Sequence, residues 1–102
     1  MNAPADQSVN DAPAGRRRTV MISNRLGLHA RAAARFVQAA ADFEAEILVS
    51  RNDTSVSGSS ILGLMMLAAG PGQELVIEAR GRDADAALLA LIALVERRFD
   101  ED

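Results

Sequence analysis

His29 is the one imidazole in a chain of 102 residues, and it stands in the run Asn24-Arg25-Leu26-Gly27-Leu28-His29-Ala30-Arg31. Asn24 and Gly27 are turn residues, so 24–28 reads as a loop. The segment from Ala30 to Ala41 is alanine-rich, with Phe36, Val37, Ala40 and Ala41 at helical spacing and Arg31, Arg35 and Gln38 between them. His29 then falls at the mouth of a helix, near its N-cap. The first-turn N–H groups there, those of Ala30 and Arg31 among them, have no intrahelical acceptor. Together with the helix dipole they make an anion site. Arg31 adds a fork of donors suited to phosphate oxygens. A lone histidine is most often structural or merely exposed. An imidazole beside an anion site, however, is what a phosphohistidine requires: a ring nitrogen attacks phosphorus while amides and a guanidinium stabilise the transferring charge.

A second place of interest is Ser60, which precedes the short apolar run Ile61 to Leu67. A serine there reads as a helix N-cap as readily as a modification site. Ile61, Leu62 and Met65 cannot all be buried beneath one short helix, so part of this apolar surface is expected to be exposed for docking. Met66 and Leu67 are expected in the core. The glycines at 70 and 72 flank Pro71 and read as a turn, not a phosphate loop.

Composition removes most other chemistry. With no cysteine there is no disulfide, thiolate or cysteine-held metal. All 11 basic residues are Arg, so lysine chemistry is absent. One histidine builds no polyhistidine metal site, and neither metal nor cofactor is called for. A net charge of −3, three Phe and no Tyr or Trp oppose nucleic-acid binding. No run of eighteen apolar residues occurs, so no membrane insertion is expected.

These residues need a scaffold, and the patterning supplies one. Residues 1–15, with two of the three Pro and many small polar residues, lack the apolar content to order themselves. They lack the basic start and apolar stretch of a signal peptide and are expected to form a flexible cytoplasmic tail before a single domain at 16–102. Arg16–Arg18 reads as a solvated strand entrance. Val20 and Ile22 alternate with Thr19, Met21 and Ser23 in a first strand. Residues 44–50 alternate again, and Asn52-Asp53 turns the chain into a short strand at 54–57. Leu75, Ile77 and Ala79 mark a last strand. Asp83 or Asp85 is expected to cap a final helix reaching Phe99, with Leu88, Leu91, Ile92, Val95 and Phe99 as its buried stripe. Asp100-Glu101-Asp102 is expected to be solvated. The order βαββαβα predicts an α+β open-faced sandwich, a four-stranded, mainly antiparallel sheet with three helices on one face.

The run from Asn24 to Arg31 resembles the motif N-x-x-G-[LI]-H-A-R-P-A of HPr, the histidine phosphocarrier of the bacterial phosphotransferase system. Ser60 to Leu67 resembles that family's second segment, and Gly70 to Glu78 its following turn and strand; the resemblance spans 18–102. It implies the HPr-like fold, phosphorylation of His29 on Nδ1, and a phosphoryl-binding Arg31. It implies docking of enzyme I, the donor, and of a IIA protein, the acceptor, on Leu28, Ile61, Leu62 and Met65. It also implies that Ser60 is the position phosphorylated in some bacteria by an ATP-dependent kinase. The protein would be a carrier, not a turnover enzyme. S-N-R-L-G before the histidine, L-M-M-L in the second segment and the terminal F-D-E-D look most like the nitrogen-related branch, NPr. The alternatives are a sugar-transport HPr, or a docking-only regulatory module switched by phosphorylation. One departure is Ala32, where the family has Pro. Pro is suited to a helix's first turn, and its replacement should change stability by less than about 1 kcal/mol.

Overall fold

The computed structural model describes residues 15–101. The tail expected over 1–15 therefore lies, apart from Gly15, outside the described residues, as does Asp102. The elements follow in the expected order: β1 (Arg16–Met21), α1 (Ala30–Ala40), β2 (Glu46–Arg51), β3 (Thr54–Ser57), α2 (Ile61–Met66), β4 (Glu74–Arg80) and α3 (Ala84–Glu96). A 3-10 turn at Arg98–Asp100 closes the described chain.

The four strands form one sheet in the order β1-β4-β2-β3, and every pairing is antiparallel. The period-two pattern fixes which face is covered. Val20, Ile47, Val49, Leu75, Ile77 and Ala79 are buried, while Thr19, Met21, Glu46 and Arg80 stay in water. The helices supply the other half of the core: Ala32, Ala33 and Phe36 from α1, Leu64 from α2, and Leu88, Leu91, Leu94 and Val95 from α3. Arg16–Arg18 is exposed, as expected of a strand entrance.

Three local expectations are corrected. Met66, expected in the core, is 71% exposed, whereas Leu67 is buried. Asp83 occupies the N-cap position of α3 but makes no side-chain cap. Its Oδ2 instead accepts from the Glu44 backbone N–H at 2.7 Å, tying the helix entrance to the loop before β2. The final helix stops at Glu96, not at Phe99. Beyond it, Arg98, Phe99 and Asp100 all take left-handed backbone angles, with φ of 61°, 56° and 61°. For residues bearing a Cβ that conformation costs about 1–2 kcal/mol each. Burial of the whole Phe99 ring offsets much of this, since an aromatic side chain taken from water stabilises by about 1.5–3 kcal/mol. The reversal turns the end of the chain back across the mouth of α1.

Candidate functional site

The loop between β1 and α1 is built around Gly27 and Asn24. Gly27 has φ +67°, and a Cβ there would meet the carbonyl oxygen of Ala69 at 2.4 Å. Only glycine allows both the angle and the approach. The approach is productive, because Leu28 N–H donates to that same Ala69 oxygen at 2.9 Å. Asn24 is fully buried. Its backbone oxygen accepts from Gly27 N–H at 3.2 Å, and its Nδ2 donates to the Gly27 carbonyl at 2.8 Å. The loop is thus closed on itself and pinned to the segment after α2 before it delivers the next residue.

That residue is His29, the N-cap of α1, with extended backbone angles. Its carbonyl accepts the first helical bond, from Ala33 N–H at 2.8 Å. No side chain caps this turn and no acidic residue lies in it. The N–H groups of Ala30, Arg31 and Ala32 therefore have no intrahelical acceptor, and the positive end of the helix dipole is uncompensated by a carboxylate on the helix itself. An open cleft of about 490 Å³ lies beside it, lined by Arg25, Leu26, His29, Arg31, Arg35, Asp100 and Glu101. Arg31 is exposed on the first turn, as the spacing predicts. Arg35, one turn on, donates from a guanidinium N–H to the Phe99 carbonyl.

Glu101 corrects the expectation of a solvated acidic end. Its side chain is only 15% exposed, and its Oε2 lies 2.7 Å from His29 Nε2. Its other oxygen, Oε1, accepts from Asn24 Nδ2 at 3.1 Å. One buried amide thus shapes the loop before the histidine and holds the carboxylate that touches it. Burial pushes the Glu101 carboxyl upward. The hydrogen bonds from Asn24 and His29, with the charge of nearby Arg35, outweigh burial and leave it below the ordinary carboxylate range. Asp100 is also lowered, chiefly by its hydrogen bond from Arg97.

A carboxyl whose value is lowered in the folded state stabilises it above the ordinary value of about 4.3 and loses that contribution as pH falls through the lowered value. Acidification below about pH 4 should therefore detach Glu101 from His29 and Asn24, while Phe99 keeps its place in the core. Amide exchange at residue 101 should accelerate there while core amides of β4 stay protected. Unchanged protection at 101 down to the acid unfolding transition would contradict this.

Ser60 is the N-cap of α2, and its Oγ accepts from Gly63 N–H at 2.9 Å. Beyond it lies an apolar face: Ile61 is 42% exposed, Leu62 68%, Met65 39% and Met66 71%. Leu28 is not part of that face. It is buried, at 4% exposure, because the Gly27 turn and the bond to Ala69 direct its side chain into the core. Leu28 is therefore corrected from a docking residue to a core residue. Leu26, 64% exposed and lining the cleft beside His29, is the apolar side chain that the loop does present.

His29, Ala30 and Arg31 are thus brought together as their spacing predicts, and Ile61, Leu62 and Met65 are exposed as expected. Asn24, Arg35 and Glu101 are the functional candidates that sequence patterning missed. The chemical capacity of the site is specific. A neutral imidazole whose Nε2 faces a carboxylate carries its proton on Nε2. Nδ1 then keeps its lone pair, in a ring that lines the same cleft as Arg31.

The chain is similar to known proteins in both sequence and fold. Residues 16–97 match the family described as the PTS HPr component phosphorylation site. A phosphocarrier protein NPr from Shewanella violacea is 48% identical over 84 residues, covering 82% of this chain and 92% of that protein. A phosphocarrier protein HPr from Pseudomonas aeruginosa is 49% identical over 83 residues, covering 80% and 92%. Among solved structures, an HPr from Thermoanaerobacter tengcongensis superposes with a TM-score of 0.81 at 39% identity, covering 85% of this chain and 98% of that one. An HPr from Bacillus anthracis gives 0.77 at 43% identity, covering 80% and 98%. With the antiparallel βαββαβα sandwich and the histidine at the mouth of its first helix, these matches place the chain in the HPr family of phosphocarrier proteins of the bacterial phosphotransferase system.

Proposed function

We propose that this phosphocarrier takes its phosphoryl group on Nδ1 of His29 from enzyme I and passes it to a IIA protein. The observation that carries this is one arrangement: the sole imidazole stands at a helix N-terminus that no side chain caps, its Nε2 engaged by Glu101, in a cleft lined by Arg25, Arg31 and Arg35. In the forward step the Nδ1 lone pair forms the N–P bond. The bond between phosphorus and the donor atom breaks, and its electron pair leaves with the donor. The amides of Ala30 and Arg31 and the Arg31 guanidinium hold the equatorial oxygens. Transfer to the acceptor is the reverse, so each cycle returns the carrier unchanged and the protein is not a turnover enzyme. Ile61, Leu62 and Met65, with Leu26 and Met66 beside them in exposure, form the docking surface for both partners. Partners of this kind place the carrier in the cytoplasm; among the described residues no helix is long and apolar enough to cross a membrane.

The nitrogen-related branch is favoured by Ser23-Asn24-Arg25-Leu26-Gly27, by Leu64-Met65-Met66-Leu67 and by the acidic end after Phe99. Relatives named HPr at 46% and 49% identity keep the sugar-transport branch as the second reading. The direct experiment is incubation with purified enzyme I and phosphoenolpyruvate. One acid-labile phosphate per chain is expected, and no uptake by a folded sample would overturn the proposal.

Ser60 is the candidate for a regulatory phosphorylation by a serine kinase. Its oxygen already sits at a helix N-terminus, where added negative charge is stabilised. The same charge beside Ile61, Leu62 and Met65 would have to be desolvated when a partner docks. Ser60→Asp is therefore expected to keep the melting temperature within about 5 °C, since a carboxylate also caps a helix, and to weaken binding to enzyme I. Calorimetric titration checks this. Equal affinity at equal stability would make Ser60 a cap alone.

A further inference from the structure

We propose that Glu101 is a positioning residue for His29, holding the imidazole by Nε2–H so that Nδ1 faces the incoming phosphoryl group. The inference rests on the proposed chemistry of His29 but goes beyond it, because it assigns a role to the acidic end of the chain, outside the histidine motif and beyond α3.

The geometry has three parts. The carboxylate is bidentate, with Oε2 on His29 Nε2 at 2.7 Å and Oε1 on Asn24 Nδ2 at 3.1 Å. Asn24 is buried and fixed to Gly27, so the carboxylate is referenced to the same loop that carries the histidine. The segment bearing Glu101 is itself anchored. Phe99 is buried in the core, its carbonyl accepts from Arg35 of α1, and Arg97 pairs with Asp100 at 2.7 Å. Three successive left-handed residues are kept in place by those contacts, and their effect is to reverse the chain and aim Glu101 at the ring. Strained backbone that persists because its surroundings over-determine it is characteristic of positioned functional groups.

The chemical consequence is a carboxylate–imidazole pair. Nε2–H donates to Glu101, which selects the tautomer with a lone pair on Nδ1 and fixes the ring about its Cβ–Cγ bond. When Nδ1 bonds phosphorus the ring becomes cationic. Its Nε2 proton stays where it was, and the carboxylate faces the new positive charge. On the return transfer the electron pair of the N–P bond goes back to Nδ1, and the pair regains its starting state. The charged groups around the ring are Arg25 from the loop, Arg31 and Arg35 from α1, and Asp100 and Glu101 from the C-terminal turn. Glu101 is the one whose hydrogen bond reaches the imidazole.

The test compares Glu101→Ala and Glu101→Gln in the full chain, with two readouts. The first is the His29 Nε2–H proton by nuclear magnetic resonance, in the absence of any partner. It is expected as a slowly exchanging signal in the wild type, lost in Glu101→Ala and kept in Glu101→Gln, whose amide oxygen still accepts. The second is the rate of phosphorylation by enzyme I. Loss of one charge-assisted hydrogen bond should slow Glu101→Ala about tenfold, with little change in the enzyme I concentration giving half-maximal rate. Glu101→Gln should recover to within about threefold of the wild type, the shortfall being the lost charge. A wild-type rate in Glu101→Ala, or equal slowing in Ala and Gln, would overturn the assignment. So would absence of the protected Nε2–H signal in the wild type. If the wild type takes no phosphate at all, the carrier chemistry of His29 fails, and the proton signal still decides whether Glu101 holds the ring.

Discussion

His29→Ala takes up no phosphate from enzyme I and phosphoenolpyruvate, while its melting temperature stays close to that of the wild type. The expectation follows from composition and geometry together. There is no second imidazole, no cysteine and no lysine to act as an alternative nitrogen or sulfur nucleophile. The ring is partly solvent-exposed, at 26%, and its core role is carried by backbone: the His29 carbonyl starts α1 through Ala33 N–H, and Ala at that position keeps it. The main structural cost is that Glu101 loses one of its two partners while keeping Asn24. Loss of one hydrogen bond between partly buried groups costs about 1 kcal/mol, which leaves the domain folded. Labelling is read by intact mass before and after acid treatment. Undiminished, acid-labile uptake by the mutant would place the nucleophile elsewhere.

Arg31→Ala is expected to slow phosphoryl transfer by about ten- to a hundredfold without unfolding the domain. One charge-assisted contact of about 1.5–3 kcal/mol, felt mainly in the transition state, corresponds to that range. Arg31 is exposed on the first turn of α1 and belongs to no core cluster. Alanine is the strongest helix former, so the fold loses little. Arg35→Ala is a useful contrast, since Arg35 donates to the Phe99 carbonyl and helps anchor the segment bearing Glu101, so its loss should slow transfer no more than Glu101→Ala does. A stopped-flow transfer assay separates the two, and a wild-type rate for Arg31→Ala would remove it from the phosphate site.

The secondary structure was legible because its signals are local. Alternation at Val20 and Ile22, at Ile47 and Val49, and at Leu75, Ile77 and Ala79 gave the buried face of each strand. Asn52, with φ 55°, makes the turn its residue type suggests. The placing of His29 and Arg31 was legible because adjacent positions at a loop–helix junction put an imidazole and a guanidinium at one helix mouth.

The rest was hidden for a physical reason. Glu101 reaches His29 across 72 positions in sequence, and no periodicity reports a contact of that kind. Its placement depends on a left-handed turn at Arg98, Phe99 and Asp100, of which Asp100 alone is a residue type that favours turns. Asn24 reads as a turn residue and is one, but its burial becomes visible only when Gly27 and Glu101 are placed around it. Leu28 and Met66 were misplaced because an apolar residue next to a turn or at a helix end can face either way. The bond from Leu28 to Ala69 settles the first. The six-residue length of α2, which buries Leu64 alone, settles the second.

Phosphoryl attachment at Nδ1 of His29 is read by heteronuclear nuclear magnetic resonance on nitrogen-15-labelled protein after phosphorylation by enzyme I. A single imidazole makes the assignment unambiguous. The predicted result is phosphorus coupled to Nδ1, with a proton retained on Nε2. Phosphorus on Nε2, or on a serine oxygen with the imidazole unmodified, would contradict it.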